Sequence, residues 1–488
     1  MGKSNTIISG MIWKFGERIS AQVISFVVSI VLARMLAPEA YGLVTLVNIF
    51  IILANVFVAD GFGNALIQKR DADELDFNSM FYASLGVSGC LYLLLYCTAP
   101  YIAQLYGNNE LILIIRIFAL KLPISAFSTI QHAYVSRHMM FRKFFFSTLF
   151  GTLISGIVGV GMAIKGFGVW ALIAQYLTNT VIDCVVLLFT IPWKPKIEFS
   201  LGRVKHLMGY GWKVLATGLV SNFYGQLRSL VIGTLYTSSD LAYYNRGERF
   251  PGLITDNIDT TISSVLFPAI SNYSSDIEQV KAMTRKAMRT SSYIIFPLMT
   301  GLAIVATPFV TLLLTEKWLP CVIFLRIYCF EKATSPFSTA NLQAIKAIGR
   351  SDVLLKMEII KKLFGIVLLL VVMKHGVLAI GYSCIITAIF CLLVNTIPNG
   401  KLIGYTFRQQ IKDILPIIIL CIGMGAPTVV VSNILISLNV PSMIVLIVDA
   451  FVGSLIYIGL SKIFKMEQFN YLLGKIKSAF GRKKTDCM

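Results

Sequence analysis

Charge is scarce in this chain. Only 14% of its 488 residues are Asp, Glu, Lys or Arg, where soluble domains carry about a quarter. Hydrophobic residues reach 56% and the mean hydropathy is +0.76, which excludes an ordinary soluble globular protein. Histidine is scarcer still, with four residues, and the nine cysteines show no metal-type spacing with them. Eight of those cysteines lie in apolar stretches and Cys487 in the tail, as expected of small packing residues. No metal ligand set and no Ser-His-Asp arrangement can be assembled. A GxxxxGK[ST] loop is missing too, so direct drive by ATP is not expected. These gaps argue against an enzyme: no catalytic residue, metal or cofactor is expected. The first apolar segment lacks a small-residue cleavage site and contains Lys14, Glu17 and Arg18, so it is expected to stay as a membrane helix.

What the chain has instead is apolar runs of about 20 residues, the length an α-helix needs to cross the hydrocarbon layer. Fourteen spans are predicted, from 10–35 to 441–464, joined by short connections with no inserted soluble domain. The fold class is all-α and polytopic. The formal net charge of +19 raises the question of a nucleic-acid partner. However, most Lys and Arg fall in alternate connections, such as Lys69/Arg70, Arg142/Lys143, Lys194/Lys196/Arg203, Lys281/Arg285/Lys286/Arg289 and Lys401/Arg408. That alternation is the positive-inside pattern. It predicts two cytoplasmic termini and no nucleic acid.

An internal repeat organises the spans. WKFGERISAQVISFVVSIVLARML (13–36) aligns with WKVLATGLVSNFYGQLRSLVIGTL (212–235), sharing Trp-Lys at one end and Leu at the other. IRIFALKLPISAFST (115–129) aligns with LRIYCFEKATSPFST (325–339), pairing Arg116 with Arg326. Two matches in the same order predict two six-helix lobes, 1–198 and 199–398, followed by helices 13 and 14 (399–464) and a basic cytoplasmic tail (465–488). Parallel repeats are a common transporter plan in which the substrate site lies between the halves.

The span YYNRGERFPGLITDNIDTTISSVLFPAIS (243–271) is the most unusual. On a helix, Asn245, Arg249, Gly252, Asp256, Asp259 and Ser263 share one face, and Phe250, Ile254, Ile258 and Val265 take the other. A polar stripe in a membrane helix faces a bundle interior or a water-filled cavity. Span 1 contributes Lys14, Arg18, Ser25 and Ser29, and its repeat partner contributes Lys213, Thr217, Ser221, Tyr224 and Arg228. Span 2 adds Asn48 and Asn55 beside Asp60. The candidate substrate-contacting residues are therefore Lys14, Arg18, Asn48, Lys213, Tyr224, Arg228, Asn245 and Arg249. Glu17, Asp256 and Asp259 are candidates for ion coupling or charge balance. Arg228 lies ~22 Å deeper than Lys213 at the helical rise, so an anionic head group would meet cations at both ends of a path. Alternatives remain for each. Lys14 and Lys213 sit where side chains can snorkel to the interface, and Glu248–Arg249 or Glu331–Lys332 can be structural ion pairs. Asp183, Glu358 and Asp449 have no partner legible in the sequence.

LARMLAPEAYGLVTL after span 1 and the whole of 243–271 resemble the polysaccharide flippases of the multidrug/oligosaccharidyl-lipid/polysaccharide exporter superfamily, over roughly 1–470. The likeness is greatest to the branch serving lipopolysaccharide, capsular or teichuronic-type polymers. The resemblance implies translocation of an undecaprenyl-pyrophosphate-linked oligosaccharide to the outer leaflet of a bacterial inner membrane, by alternating access around a cationic cavity. It implies membrane lipids as partners, with a polysaccharide polymerase and other assembly proteins as further candidates. The competing expectation is a cation-coupled multidrug antiporter of the same superfamily, whose site would be dominated by carboxylates and aromatics. A membrane-embedded glycosyltransferase or polymerase ranks lower, because the outer loops are short.

Overall fold

The computed structural model describes residues 2–69 and 71–481; the side chains of 1–12, 14, 15, 60 and 476–481 are outside what is described. The side chains of Lys14 and Asp60, and all of Arg70 and of the tail beyond Gly481, thus lie outside what is described. No β-strand occurs among the described residues. The chain divides into two compact units, Met1–Ala242 and Tyr243–Met488.

The first unit runs through α1 (Gly2–Met35), α2 (Pro38–Val56), a π-helical segment (Phe57–Gly63), α3 (Asn64–Gln68), α4 (Glu74–Leu105), α5 (Glu110–Phe118), α6 (Lys121–Arg137), α7 (Phe141–Ile164), α8 (Val169–Thr190) and α9 (Leu201–Leu235). Pro38 opens α2, where its fixed φ suits a first helical turn and its missing N–H costs nothing. Asp73 and Asp76 close a capping box on α4, satisfying two amides that the helix itself leaves unpaired. α1 packs along α7, α7 along α8, and α9 against α2, α4 and the π segment. Two glycines inside the sequence motifs are there for backbone approach. A Cβ on Gly42 would lie 1.8 Å from the Ser238 carbonyl oxygen, and one on Gly247 2.5 Å from Phe324 Cβ.

The second unit comprises α10 (Ser238–Ser271, whose first turn belongs to the first unit), α11 (Ile277–Ile304), α12 (Ala306–Leu314), a 3-10 turn (Glu316–Trp318), α13 (Cys321–Ala333), α14 (Ser335–Ala347), α15 (Ser351–Val372), α16 (Val377–Leu402), α17 (Phe407–Ser437), α18 (Ser442–Ile463) and α19 (Glu467–Gly481). Buried amides tie its helices together. Asn341 donates to Gln410 Oε1 at 2.8 Å, and Asn399 donates to Asn341 Oδ1 at 2.9 Å. Asn395 donates to the Ser338 hydroxyl at 2.8 Å. Lipid cannot drive helices together as water does, so such interhelical bonds and close packing carry the association.

Nine helices among the described residues are long and apolar enough to span a membrane, or ten if the pair α11–α12, bent by 71°, counts as one. The other segments expected to span, α9, α10, α13–α14 and α15, are helical but carry more charge or are broken. The span expected over 319–347 is broken into α13 and α14, whereas that expected over 110–136 is interrupted by one turn between α5 and α6 and still counts as a single span, Glu110–Arg137. Pro336 stands in the first turn of α14, where its fixed φ suits a helix start and its missing N–H costs nothing. The repeat-related arginines each donate to a carbonyl of an earlier helix. Arg116 Nε donates to the Tyr96 carbonyl at 3.5 Å with its guanidinium 4.2 Å from the Tyr96 ring. Arg326 Nε donates to the Ala303 carbonyl at 3.2 Å. Arg116 thus reaches back from α5 to α4, and Arg326 from α13 to α11.

Candidate transport site

In the first unit α9 is one uninterrupted helix of 35 residues. It exposes Lys213, Thr217 and Ser221 and half-buries Tyr224 and Arg228. The Thr217 hydroxyl is spent on the Lys213 carbonyl at 2.9 Å, which leaves the Lys213 ammonium as that turn's polar offering. Arg228 keeps its Nε shielded from solvent, so the guanidinium sits partly inside the packing rather than out at a surface. α2 carries Asn48 and Asn55, both half-buried, and the Oδ1 of each is buried without a donor among the described residues. Unsatisfied buried acceptors are rare enough in native structures to call for a ligand, a water or an ion. On α1, Arg18 is exposed, while Glu17 accepts from the Thr148 hydroxyl of α7 at 3.1 Å. Glu17 is thus engaged in the α1–α7 seam.

The first unit also gathers a cluster that sequence reasoning missed. His132 Nε2 on α6 lies 2.7 Å from Asp183 Oδ2 on α8, and the fully buried Ser147 hydroxyl of α7 donates to Asp183 Oδ1 at 2.7 Å. The His132 ring stacks on Phe144 at 4.8 Å. Asp183 bridges both partners, so this is not a relay in which histidine activates serine. It is a three-helix polar tie.

In the second unit α10 presents two unlike faces. Tyr244 packs edge-on against Phe324 and Tyr328, and Phe250 against Phe309 at 5.0 Å. Arg246, 8% exposed, lies over the Trp318 ring at 5.2 Å. The other face exposes Arg249, Asp256, Thr260 and Thr261, with Asn245 half-buried. The expected stripe is not one continuous surface: Gly252 is buried, and Asp259 is half-buried and turned toward the Ser335 and Thr339 hydroxyls of α14. Val265, expected on the apolar side, is exposed at 66%.

Asp256 and Asp259 come together around a residue that had been weighed only as half of a structural pair. Lys332, at the end of α13, lies within electrostatic reach of Glu331, Glu248, Asp256 and Asp259, with its Nζ 3.9 Å from Glu331 Oε1. Carboxylates therefore outnumber the lysine at this point. An ionisable group inside a membrane span is a functional candidate by default, and that rule was the available signal for Lys332. His132 offered no comparable spacing cue, because its partner is 51 residues away. No group of three or more His, Cys, Asp or Glu among the described residues is arranged to hold a metal ion.

The arrangement is a set of long polar-faced helices carrying cations, unsatisfied amide oxygens and a carboxylate cluster on an all-α membrane scaffold. Residues 31–323 match the family model described as "Polysaccharide biosynthesis protein". The chain belongs to that family. It is 23% identical over 416 residues to the succinoglycan biosynthesis transport protein ExoT of Rhizobium meliloti (strain 1021), covering 85% of this chain and 82% of that protein. Similar matches are the teichuronic acid biosynthesis protein TuaB of Bacillus subtilis (strain 168), 23% identical over 86% of this chain and 87% of its own, and the lipopolysaccharide biosynthesis protein WzxC of Escherichia coli (strain K12), 23% identical over 87% and 86%. Among solved structures, the lipid II flippase MurJ in an inward closed conformation aligns with a TM-score of 0.73 and 17% identity, over 94% of this chain and 98% of that one. An inward-facing multidrug transporter of the MATE family aligns with a TM-score of 0.60 and 15% identity, over 80% and 98%. At these identities the two structures speak to the fold. The protein is a multi-pass membrane protein with the architecture of these transporters.

Proposed function

We propose that this protein is a flippase that moves an undecaprenyl-pyrophosphate-linked oligosaccharide from the cytoplasmic to the outer leaflet of a bacterial inner membrane, for surface polysaccharide synthesis. The family match to polysaccharide biosynthesis proteins carries the cargo class, and the cation-bearing faces of α9 and α10 supply its chemistry. A pyrophosphate needs charge-assisted donors to leave water. Arg18, Lys213, Arg228 and Arg249 provide them, with Lys14 as a further member, and Asn48, Asn245 and Tyr224 add neutral polar contacts for sugar. The lipid tail stays in the bilayer, so only the head group needs a polar route. The chain repeats as two six-helix lobes, and differential binding of the head group to inward- and outward-open states would bias the cycle. Lys- and Arg-rich connections and both termini are assigned to the cytoplasm, and a polysaccharide polymerase is the natural acceptor of the product.

The carboxylates around Lys332 favour a second element, coupling to a cation. Asp256 and Asp259 would take a proton or Na⁺ in exchange for the lysine, which is also what a small-molecule antiporter of this fold would require. Complementation of flippase-deficient cells with defined surface glycans separates the two readings. Arg228→Ala and Arg249→Ala are expected to abolish polymer export while the protein still inserts. Export undiminished in both variants, or drug resistance conferred without any glycan, would defeat the flippase assignment.

A further inference from the structure

The basic run at the start of α11 marks topology in the sequence, and the fold makes a cavity of it. α19 docks through Phe469 and Leu472, with Met466 just before it, onto the apolar core of the second unit. Where it faces α11 it leaves a cavity of about 540 Å³, within the ~300–1,000 Å³ typical of small-ligand sites. Lys281, Arg285, Lys286 and Arg289 line it with Glu278 on the same helix, opposite Glu467 and Tyr471, so cations outnumber carboxylates four to two. Three of these cations are held in place. Arg285 makes a two-point pair through Nε and Nη2 with Asp413, which the Tyr405 hydroxyl also engages at 2.8 Å. That uses two of the five guanidinium N–H donors and leaves three. Arg289 Nη1 pairs with Glu467 at 3.0 Å, and the Lys286 ammonium lies 4.3 Å from the Tyr471 ring centre.

We propose that this cavity binds the phosphate of an anionic phospholipid head group, with Lys281, Arg285, Lys286 and Arg289 as donors. Location selects a lipid over a soluble phosphate. α19 follows α18 after a short turn, and Ile463, Phe464 and Tyr471 on that turn and helix are exposed apolar or amphipathic groups, as on a helix lying at head-group depth. Acyl chains would run beside them while the phosphate enters the cavity. Basic pockets at a membrane helix boundary bind acidic lipids by this chemistry. The inference is independent of the transported cargo. Only its assignment to the cytoplasmic leaflet rests on the orientation proposed above.

The full chain is placed in nanodiscs of phosphatidylcholine with phosphatidylglycerol, and retained lipid is read by native mass spectrometry. Lys281→Ala/Lys286→Ala is expected to weaken phosphatidylglycerol retention roughly 30-fold, whereas Lys356→Ala/Lys362→Ala on α15, a helix that packs on α14 and α16, makes the same charge change and leaves it intact. If the double variant fails to fold, the exposed substitution Lys286→Gln reads the effect alone at about fivefold. Equal retention in the cavity variants, or equal loss in the distal control, overturns the site. Displacement of phosphatidylglycerol by sub-millimolar inorganic phosphate or pyrophosphate overturns the lipid assignment in favour of a soluble anion. Persistence of the lipid under those anions supports it. Loss of this binding with polymer export unchanged leaves the flippase reading untouched.

Discussion

Removing the Asp76 carboxylate should loosen the first unit more than any other single charge deletion. Asp76 has no exposed side-chain surface; it sits 2.5 Å from Lys69 Nζ and 3.4 Å from Arg203 Nη1. It also accepts the Asp73 N–H at 3.1 Å. One carboxylate thus joins the α3–α4 connection to the first turn of α9, the helix that carries Lys213 and Arg228. Breaking a fully buried pair costs about 3–5 kcal/mol, because the partner charge is left uncompensated. Lys69 and Arg203 keep 20% and 40% of their side-chain surface exposed, so water recovers part of that, and Asp76→Ala should cost about 2–3 kcal/mol. Asp76→Asn keeps an acceptor for the Asp73 amide and should cost about 1 kcal/mol less. For a unit of this size each kcal/mol lowers the midpoint by about 2–4 °C, so the alanine variant should melt about 4–12 °C earlier. Fluorescence-detected size-exclusion after heating in detergent measures this. A midpoint equal to wild type, or an asparagine variant less stable than alanine, would refute the charge-tie argument.

Gly42→Ala should cost about 3 kcal/mol or more and lower the yield of folded protein, since its Cβ would overlap the Ser238 carbonyl. Gly86→Ala, exposed in mid-helix with no atom within 4 Å, is the control that should not destabilise in the same heating assay, since alanine is the better helix former. Asp183→Ala should destabilise by about 1–2 kcal/mol through loss of two interhelical bonds, and adding His132→Ala should cost little further; strictly additive losses would show that the two side chains do not act together. Asp73 is held below its ordinary value of 3.8 by the Asp76 N–H and by Arg203. A depressed folded value means its contribution is present above that range and is lost as pH falls through the folded pKa. Midpoints measured from pH 6 down to about 3 should therefore drop below ~4, and the drop should be shallower in Asp73→Asn.

The sequence by itself determined the class. Apolar run length, sparse charge and alternating basic connections follow directly from the physics of a bilayer, and they gave an all-α multi-pass chain that the structure bears out. The sequence repeat is legible because both copies keep the same landmarks, and the arginines it pairs, Arg116 and Arg326, each donate to a carbonyl of an earlier helix. The helical stripe on α10 was legible only in part. Periodicity says which residues share a face, and it cannot say which part of that face a neighbouring helix covers. Packing decided that Gly252 is buried, that Asp259 turns to α14 and that Arg249 and Asp256 stay exposed. Tertiary structure alone brought Lys332 to Glu248, Asp256 and Asp259 of α10, Asp183 to His132 and Ser147, and α19 to the basic start of α11. Each of those meetings joins residues on different helices, and no local spacing rule encodes a contact that the folded packing creates.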